Sequence, residues 1–218
     1  KKTKLLVRVN PIYPDSGDEI DKVIENGADI VMLPFFRSVE EVRTFIKLVG
    51  GRAETCLLLV TAESVDGLDL ILKERGIDYI HIGLNDLHLG YGMKFMFELL
   101  TNGTVESICE KIRTTGIPFG FGGIARLGEG AVPAEYIIAE HYRLGSSMAI
   151  LSRSFCDCSK MDSLEEVSEV FKQGIREIRD YELYLSDQGE DFYGSNVRKL
   201  TRCVADVVDH FGRSAESR

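Results

Sequence analysis

The sequence predicts an α/β fold, a (β/α)8 TIM barrel that lacks its first one or two βα units within these 218 residues and carries extra C-terminal helices. Six short apolar runs alternate with amphipathic segments, which is typical of a parallel sheet with helical crossovers. Polar side chains follow nearly every run, and in barrels the strand ends together form the active site. An open doubly wound sheet is the competing architecture, but no G-x-G-x-x-G fingerprint follows the first run.

Six runs are continuous and apolar, which predicts strands buried on both faces. They are Leu5–Asn10, Asp29–Pro34, Cys56–Ala62, Tyr79–Gly83, Ile117–Gly123 and Ser146–Ser152. A full barrel has eight strands, so two are unaccounted for. Either two short units are hidden within the sequence, or they precede it. The first run begins within a few residues of Lys1, and we therefore expect the missing units to precede this sequence.

Amphipathic segments between the runs predict the crossover helices. They are Gly17–Asn26, Ser38–Val49, Ser64–Arg75, Thr104–Thr115 and Pro133–Tyr142. Ser38 and Glu41 have the spacing of a capping box, which fixes the start of the second helix.

The pattern changes after the last run, which predicts a barrel over 1–160 and a helical extension over 161–218. A long amphipathic helix is expected over Asp162–Leu185, followed by a polar break at Ser186–Asp191 and a second helix near Asn196–Phe211. The apolar stripe of these helices predicts packing on the barrel or on a neighbouring subunit. We expect a homo-oligomer formed through them.

Composition and charge exclude several classes of protein. The formal net charge is -9, which disfavours a nucleic-acid surface. No apolar run approaches the ~20 residues of a membrane span, and no signal peptide is evident. The 5 cysteines are interpreted as reduced thiols of a cytoplasmic protein. Cys156 and Cys158 form a C-x-C pair without a second pair to complete a zinc site, so they are interpreted as small loop residues.

Arg8 and Asp86 are the first candidates for chemistry. Arg8 lies in an apolar strand, where a charge is costly unless it is paired or faces a polar pocket. It is either half of a buried salt bridge or a clamp for a carboxylate or enolate oxygen. Asp86 follows the fourth run and Gly83. It is either a ligand for Mg²⁺ or Mn²⁺, or the residue of an Asx turn or the N-cap of the following segment.

Weaker candidates lie at other strand ends. Gly122, Gly123 and Arg126 belong to the segment FGFGGIARLGEG, which suits close approach of a ligand, phosphate included, although glycine-rich turns are common. Glu63 is a base, a metal ligand or an acidic residue favouring a helix start.

Two histidines lie near Asp86. His88, expected in a loop beside it, is the better acid–base candidate. His81 lies mid-strand, where a hydrogen-bonded core role is the more common one.

Four segments in order resemble the HpcH/HpaI aldolase and citrate lyase beta-subunit family. They are LLVRVNPI (Leu5–Ile12), GADIVMLPFF (Gly27–Phe36), LLLVTAESV (Leu57–Val65) and IGLNDLHLGYG (Ile82–Gly92). More narrowly, the chain is similar to aldolase-like proteins of bacterial polysaccharide gene clusters.

The resemblance implies a carbon–carbon lyase or aldolase that acts on a pyruvate-like or oxaloacetate-like 2-oxo acid through a metal-stabilised enolate. By this resemblance Arg8 would hold the enolate oxygen or carboxylate, and Asp86 would bind Mg²⁺ or Mn²⁺. We also expect substrate contacts from Pro34 and Asn85, which lie within matched segments. Such chemistry is physically sound, because a Lewis acid and an arginine neutralise charge that develops on oxygen.

One position departs from the family pattern. The strand before Thr61 ends in a metal-binding glutamate in the family, whereas this chain has Val60 there. Glu63 lies three residues further along and is the nearest substitute. The alternative to a working lyase is therefore a catalytically impaired barrel that serves as a ligand-binding or assembly subunit. A phosphate-handling, isomerase-like barrel that uses the glycine-rich segment is the third hypothesis.

Overall fold

The computed structural model describes residues 3–216, so residues 1–2 of the predicted barrel and residues 217–218 of the predicted helical extension lie outside the described residues. Six parallel strands form one open sheet in the order β1-β2-β3-β4-β5-β6. The strands are β1 Leu6–Arg8, β2 Ile30–Leu33, β3 Glu54–Leu59, β4 Tyr79–Ile82, β5 Phe119–Ile124 and β6 Met148–Leu151. All six predicted strands are confirmed, and they form the half-barrel of a partial TIM-type fold. Within residues 3–216, no strand pairs with the outer edge of β1 or of β6, and the closing strands stay a prediction.

Ten α-helices and one 3-10 helix are found in the described part of the chain. The α-helices are α1 Ser16–Glu25, α2 Val39–Val49, α3 Ala62–Asp66, α4 Leu68–Ile71, α5 Leu84–Gly90, α6 Glu98–Thr101, α7 Thr104–Arg113, α8 Ala134–Leu144, α9 Leu164–Ser186 and α10 Glu190–Glu216. The capping box that begins α2 is confirmed, because Ser38 Oγ accepts a hydrogen bond from the Glu41 amide (3.3 Å) and Glu41 Oε2 accepts one from the Ser38 amide (3.2 Å).

Three expectations about helices were wrong. The helix predicted over Ser64–Arg75 is two short helices, α3 and α4, separated at Gly67, whose amide closes the first by bonding to Glu63 O. The last helix begins at Glu190 rather than near Asn196, so the predicted polar break is three residues long. The segment after β4 is helical in α5 rather than a loop.

The sheet has two different faces because successive side chains of a strand point in opposite directions. The outer face packs beneath the helices in the main core, with Leu57, Leu59, Ile80 and Ile82 almost fully buried. The inner face carries a separate small apolar cluster of Met32, Cys56, Leu58 and Val60, flanked by Ile30 and Tyr79. Burial raises the pKa of the Cys56 thiol in this cluster to about 12, so the thiol is protonated at neutral pH.

The C-terminal helices pack on the same chain. Asn196, buried in α10, donates hydrogen bonds to Tyr136 O (3.1 Å) and to Glu140 Oε1 (2.9 Å) in α8. The ring of Phe211 lies edge-on to that of Phe95, with 6.0 Å between centroids. The domain boundary near residue 160 and the homo-oligomer remain predictions. A search of the described helices found none with both the length and the apolar character needed to cross a bilayer.

Close contact between β5 and β6 generates a stability prediction. A Cβ atom on Gly120 would overlap the carbonyl oxygen and the side chain of Met148. We expect Gly120→Ala to force the two strands apart and to lower the unfolding free energy by about 2 kcal/mol. Gly90→Ala is the matched control, because a Cβ there meets no atom within 4 Å. Urea unfolding measures both variants, and equal stability of the two would contradict the contact.

Candidate functional site

A cavity of about 190 Å³ opens on the inner face at the carboxyl ends of the strands. It is lined by Arg8, Leu58, Val60, His81, Gly83, Leu84, Asn85, Asp86, Met96, Gly122, Gly123 and Ile150. Five residues predicted for the site, Arg8, Asn85, Asp86, Gly122 and Gly123, therefore share one cavity. Their functional roles stay a prediction.

Arg8 ends β1 on the inner face, next to Met32 of β2 in the register of the sheet. Its side chain is exposed to solvent at the cavity. Within residues 3–216 it has neither an ion-pair nor a hydrogen-bond partner. The alternative of a buried salt bridge is therefore wrong, and the guanidinium is free to bind an anion.

Asp86 and Asn85 lie in the first turn of α5, directly after β4. Gly83 is the residue before this helix, and no side chain caps the helix. Asp86 is half-buried, and its carboxylate has no hydrogen-bond donor among the described residues. The turn-capping alternative thus lacks the hydrogen bond it requires, and the carboxylate remains available to a ligand.

His81 also lines the cavity, which the sequence did not indicate. Its Nε2 lies 3.1 Å from Gly122 O, and because a carbonyl only accepts, Nε2 carries the proton and Nδ1 is left as an acceptor. Burial lowers the pKa of His81 to about 4 against a small opposing effect of this bond, so the ring is neutral at pH 7. Gly122 itself has a φ of 55°, and a Cβ there would lie 2.9 Å from Leu84 Cδ1, so a side chain is excluded.

Val60 forms the apolar wall of the cavity. It is 3% exposed, and its Cγ1 packs on Gly83 so closely that a Cβ at Gly83 would overlap it. The sequence had already singled out Val60, because the resembled family is expected to have a carboxylate at this position. The structure adds that its methyl groups face the same space as Arg8 and Asp86.

Four predicted site residues do not line this cavity. His88 is buried in α5, where Nδ1 donates to Leu84 O at 3.1 Å, so the expected loop position was wrong. Glu63 is exposed in the first turn of α3 and pairs with Arg37 at 3.4 Å. Arg126 lies beyond β5 and pairs with Glu129 at 3.6 Å. Pro34 is buried after β2.

Comparison with known proteins agrees with this geometry. The sequence model of the HpcH/HpaI aldolase/citrate lyase family matches residues 1–122, more than half of the chain. The chain belongs to this family. A crystal structure of RipC from Yersinia pestis superposes with a TM-score of 0.58 at 13% identity, covering 77% of this chain and 76% of that chain, and supports the fold. No match was found among curated proteins.

The described residues that line the cavity do not provide the set of ligands that a resident divalent metal needs. Mg²⁺ and Mn²⁺ prefer carboxylate oxygens, and Asp86 is the one carboxylate in the lining. Val60 stands where the family pattern predicts a second carboxylate ligand. Glu63 forms an ion pair with Arg37 instead of lining the cavity. Across residues 3–216, no group of three or more His, Cys, Asp or Glu side chains is placed to hold a metal.

The lowered pKa of His81 makes stability depend on pH. The folded state keeps this imidazole neutral down to about pH 4, whereas the unfolded chain protonates it near 6.5. The folded state is therefore favoured above the unfolded pKa of 6.5, and the unfolding free energy falls by about 3 kcal/mol as the pH drops from there to about 4. We expect His81→Gln to be less sensitive to acid than wild type when urea unfolding is compared at pH 7 and pH 4.5. An identical pH dependence of the two proteins would refute this expectation.

Proposed function

We propose that this chain is a catalytically impaired member of the HpcH/HpaI family that binds a small 2-oxo acid in the strand-end cavity, as a ligand-binding or assembly subunit. One observation carries the proposal. Among the described residues, the cavity lining combines an arginine without an ion-pair partner, Arg8, with a single carboxylate, Asp86, and an apolar wall at Val60. This arrangement suits anion binding better than metal chemistry.

The size and chemistry of the cavity favour a small ligand. Its 190 Å³ is below the ~300 Å³ at which drug-sized pockets begin. The planar fork of Arg8 matches the two oxygens of a carboxylate. Asn85 offers an amide donor to a keto oxygen, and the missing side chain at Gly122 lets the backbone approach the ligand.

We infer the impaired chemistry from the side chains that line the cavity. The family's reaction leaves negative charge on an enolate oxygen, which must be neutralised where it develops. In this chain Arg8 is the one cation in the cavity lining. His81, with a pKa of about 4, is a weak base at neutral pH. His88 is buried outside the cavity lining, where its Nδ1 bonds to Leu84 O, so it does not serve the site as an acid or a base.

Calorimetric titration of oxalate, a planar mimic of enolpyruvate, tests binding. We expect wild type to bind oxalate equally with and without Mg²⁺. Arg8→Met should weaken binding at least about tenfold, because a charge-assisted bidentate contact is lost. Val60→Glu adds the second carboxylate and should make oxalate binding stronger with Mg²⁺ than without it.

Val60→Gln is the matched control, because it has the shape of glutamate without the charge and should gain no Mg²⁺ dependence. Oxalate binding by wild type only when Mg²⁺ is present would overturn the impaired-site proposal. Failure to bind oxalate under any condition would overturn the binding proposal itself.

A carbon–carbon lyase or aldolase acting on the same 2-oxo acid is the second candidate. The half-buried Asp86 carboxylate favours it, because this group has no hydrogen-bond donor among residues 3–216 and structural packing does not explain it. The phosphate-handling alternative has less support, since Arg126 lies outside the cavity and pairs with Glu129.

Pyruvate release from oxaloacetate and from a 4-hydroxy-2-oxo acid distinguishes the two candidates. The impaired-site proposal predicts turnover indistinguishable from the uncatalysed rate for wild type and for Asp86→Asn, with or without added Mg²⁺ or Mn²⁺. Turnover by wild type that Asp86→Asn abolishes would establish the lyase instead. Lactate dehydrogenase and NADH report the pyruvate, and a mock purification sets the background.

A further inference from the structure

The loop between β6 and α9 brings two thiols together. Cys156 and Cys158 are separated by one residue, and their Sγ atoms lie 4.0 Å apart. Asp157, the residue between them, is held by other groups: it accepts hydrogen bonds from the Ser159 amide (3.2 Å) and hydroxyl (2.6 Å), and it pairs with Lys160 at 3.0 Å. The turn thus leaves the two sulfur atoms facing each other.

We propose that Cys156 and Cys158 form a dithiol site that is oxidised to an intrachain disulfide by exchange with a small disulfide such as glutathione disulfide. A disulfide needs the sulfur atoms about 2 Å closer than they are now. Side-chain rotation supplies this movement in an exposed turn, because the pair lies between β6 and α9 and only Cys158 belongs to a regular element, the short 3-10 helix Cys158–Lys160.

Accessibility sets the order of the two steps. Cys158 is exposed and Cys156 is half-buried, so a small disulfide reaches Cys158 first. Burial, and then the hydrogen bond and charge of Cys158, raise the pKa of Cys156 despite the opposing charge of Arg126. The thiolate of Cys158 therefore attacks the incoming disulfide, and Cys156 acts as the resolving thiol.

The exchange balances in atoms and electrons. Cys158 loses its proton and its thiolate attacks one sulfur of glutathione disulfide, which forms a mixed disulfide and expels one glutathione thiolate. Cys156 then loses its proton and attacks the Cys158 sulfur, which forms the intrachain bond and expels the second glutathione thiolate. Two protein thiols are oxidised, one glutathione disulfide is reduced, and the two protons end on the two glutathione molecules.

The other cysteines differ in ways that matter for selectivity. Cys56 and Cys109 are buried, and burial raises the pKa of each to about 12, so neither provides an accessible thiolate. Cys203 is half-buried in α10, and burial raises its pKa as well. The C-x-C pair is the one place in the sequence where two cysteines are close neighbours.

The cysteine pair directly follows a fully buried aromatic residue, Phe155. Phe155, the residue before Cys156, is fully buried and stacks at a tilt on Phe171 of α9, with 5.5 Å between ring centroids. Its ring lies so close to Gly174 that a Cβ there would be 2.7 Å from Phe155 Cζ. Closing the small ring at Cys156 therefore acts directly beside a residue that packs against α9.

Mass spectrometry of the full chain tests the proposal. The protein is incubated with glutathione disulfide, quenched in acid, alkylated with N-ethylmaleimide and digested with trypsin, which releases Ser154–Lys160 with both cysteines and no others. We expect this peptide to be unalkylated and two hydrogen atoms lighter than its reduced form, and dithiothreitol to reverse the change. Cys156→Ser should stop at the mixed glutathione disulfide on Cys158.

Cys203→Ser is the matched control and should form the intrachain bond as wild type does. A wild-type peptide that stays doubly alkylated, or that accumulates glutathione without closing the ring, would overturn the proposal. Absence of glutathione on Cys158 in Cys156→Ser would overturn the assigned order of attack. Melting temperatures of the reduced serine variants confirm that each remains folded.

Discussion

The parallel backbone ladder from β1 to β6 is the constraint on which the rest of the structure depends. Parallel pairing aligns the carboxyl ends of all six strands at one edge. Its register places Arg8 beside Met32, Met32 beside Cys56, and Leu58 beside His81. Because side chains alternate between the two faces, each of these residues points to the inner face. A shift of one residue in any strand would exchange the cavity lining for core side chains.

Two glycines lie in close contact with neighbouring segments of the sheet: Gly83 in the cavity lining and Gly120 in β5. Gly83 has no side chain because Val60 occupies the space, and Gly120 has none because β6 runs against it. The chemistry of the cavity is set by a few positions, and Val60, directly after β3, makes one of its walls apolar.

Much of the fold could be predicted from the sequence, because continuous apolar runs mark strands buried on both faces. All six strands and the capping box at Ser38 were predicted. The helix α5 was missed, since Gly83, Asn85 and Asp86 are also turn formers and seven residues are too few for a clear period. Its buried residues, Leu84, Leu87 and His88, do follow helical spacing, and that was the available signal.

The site was predicted less completely, because the sequence gives the strand on which a residue lies but not its partners. Glu63 and Arg126 lie near strand ends as expected, yet each pairs with a neighbouring charge, Arg37 or Glu129, which nothing in the spacing reveals. His81 was interpreted as a core residue, and its bond to Gly122 O supports that interpretation. The same residue also lines the cavity, since an incompletely enclosed inner face is both core and binding surface.

The unpaired charges give the strongest argument about what this site retains. Several arginines pair with carboxylates, even on exposed surfaces, as Arg43, Arg52 and Arg143 show. Within residues 3–216, Arg8 and Asp86 line one cavity without such partners, although the full sequence has 35 acidic and 26 basic side chains. An arginine held at a strand end by the backbone ladder, and left without a counter-ion from the described chain, is placed to be neutralised by an anion from solution. The valine at position 60 adds no negative charge to the cavity lining that would repel an incoming anion.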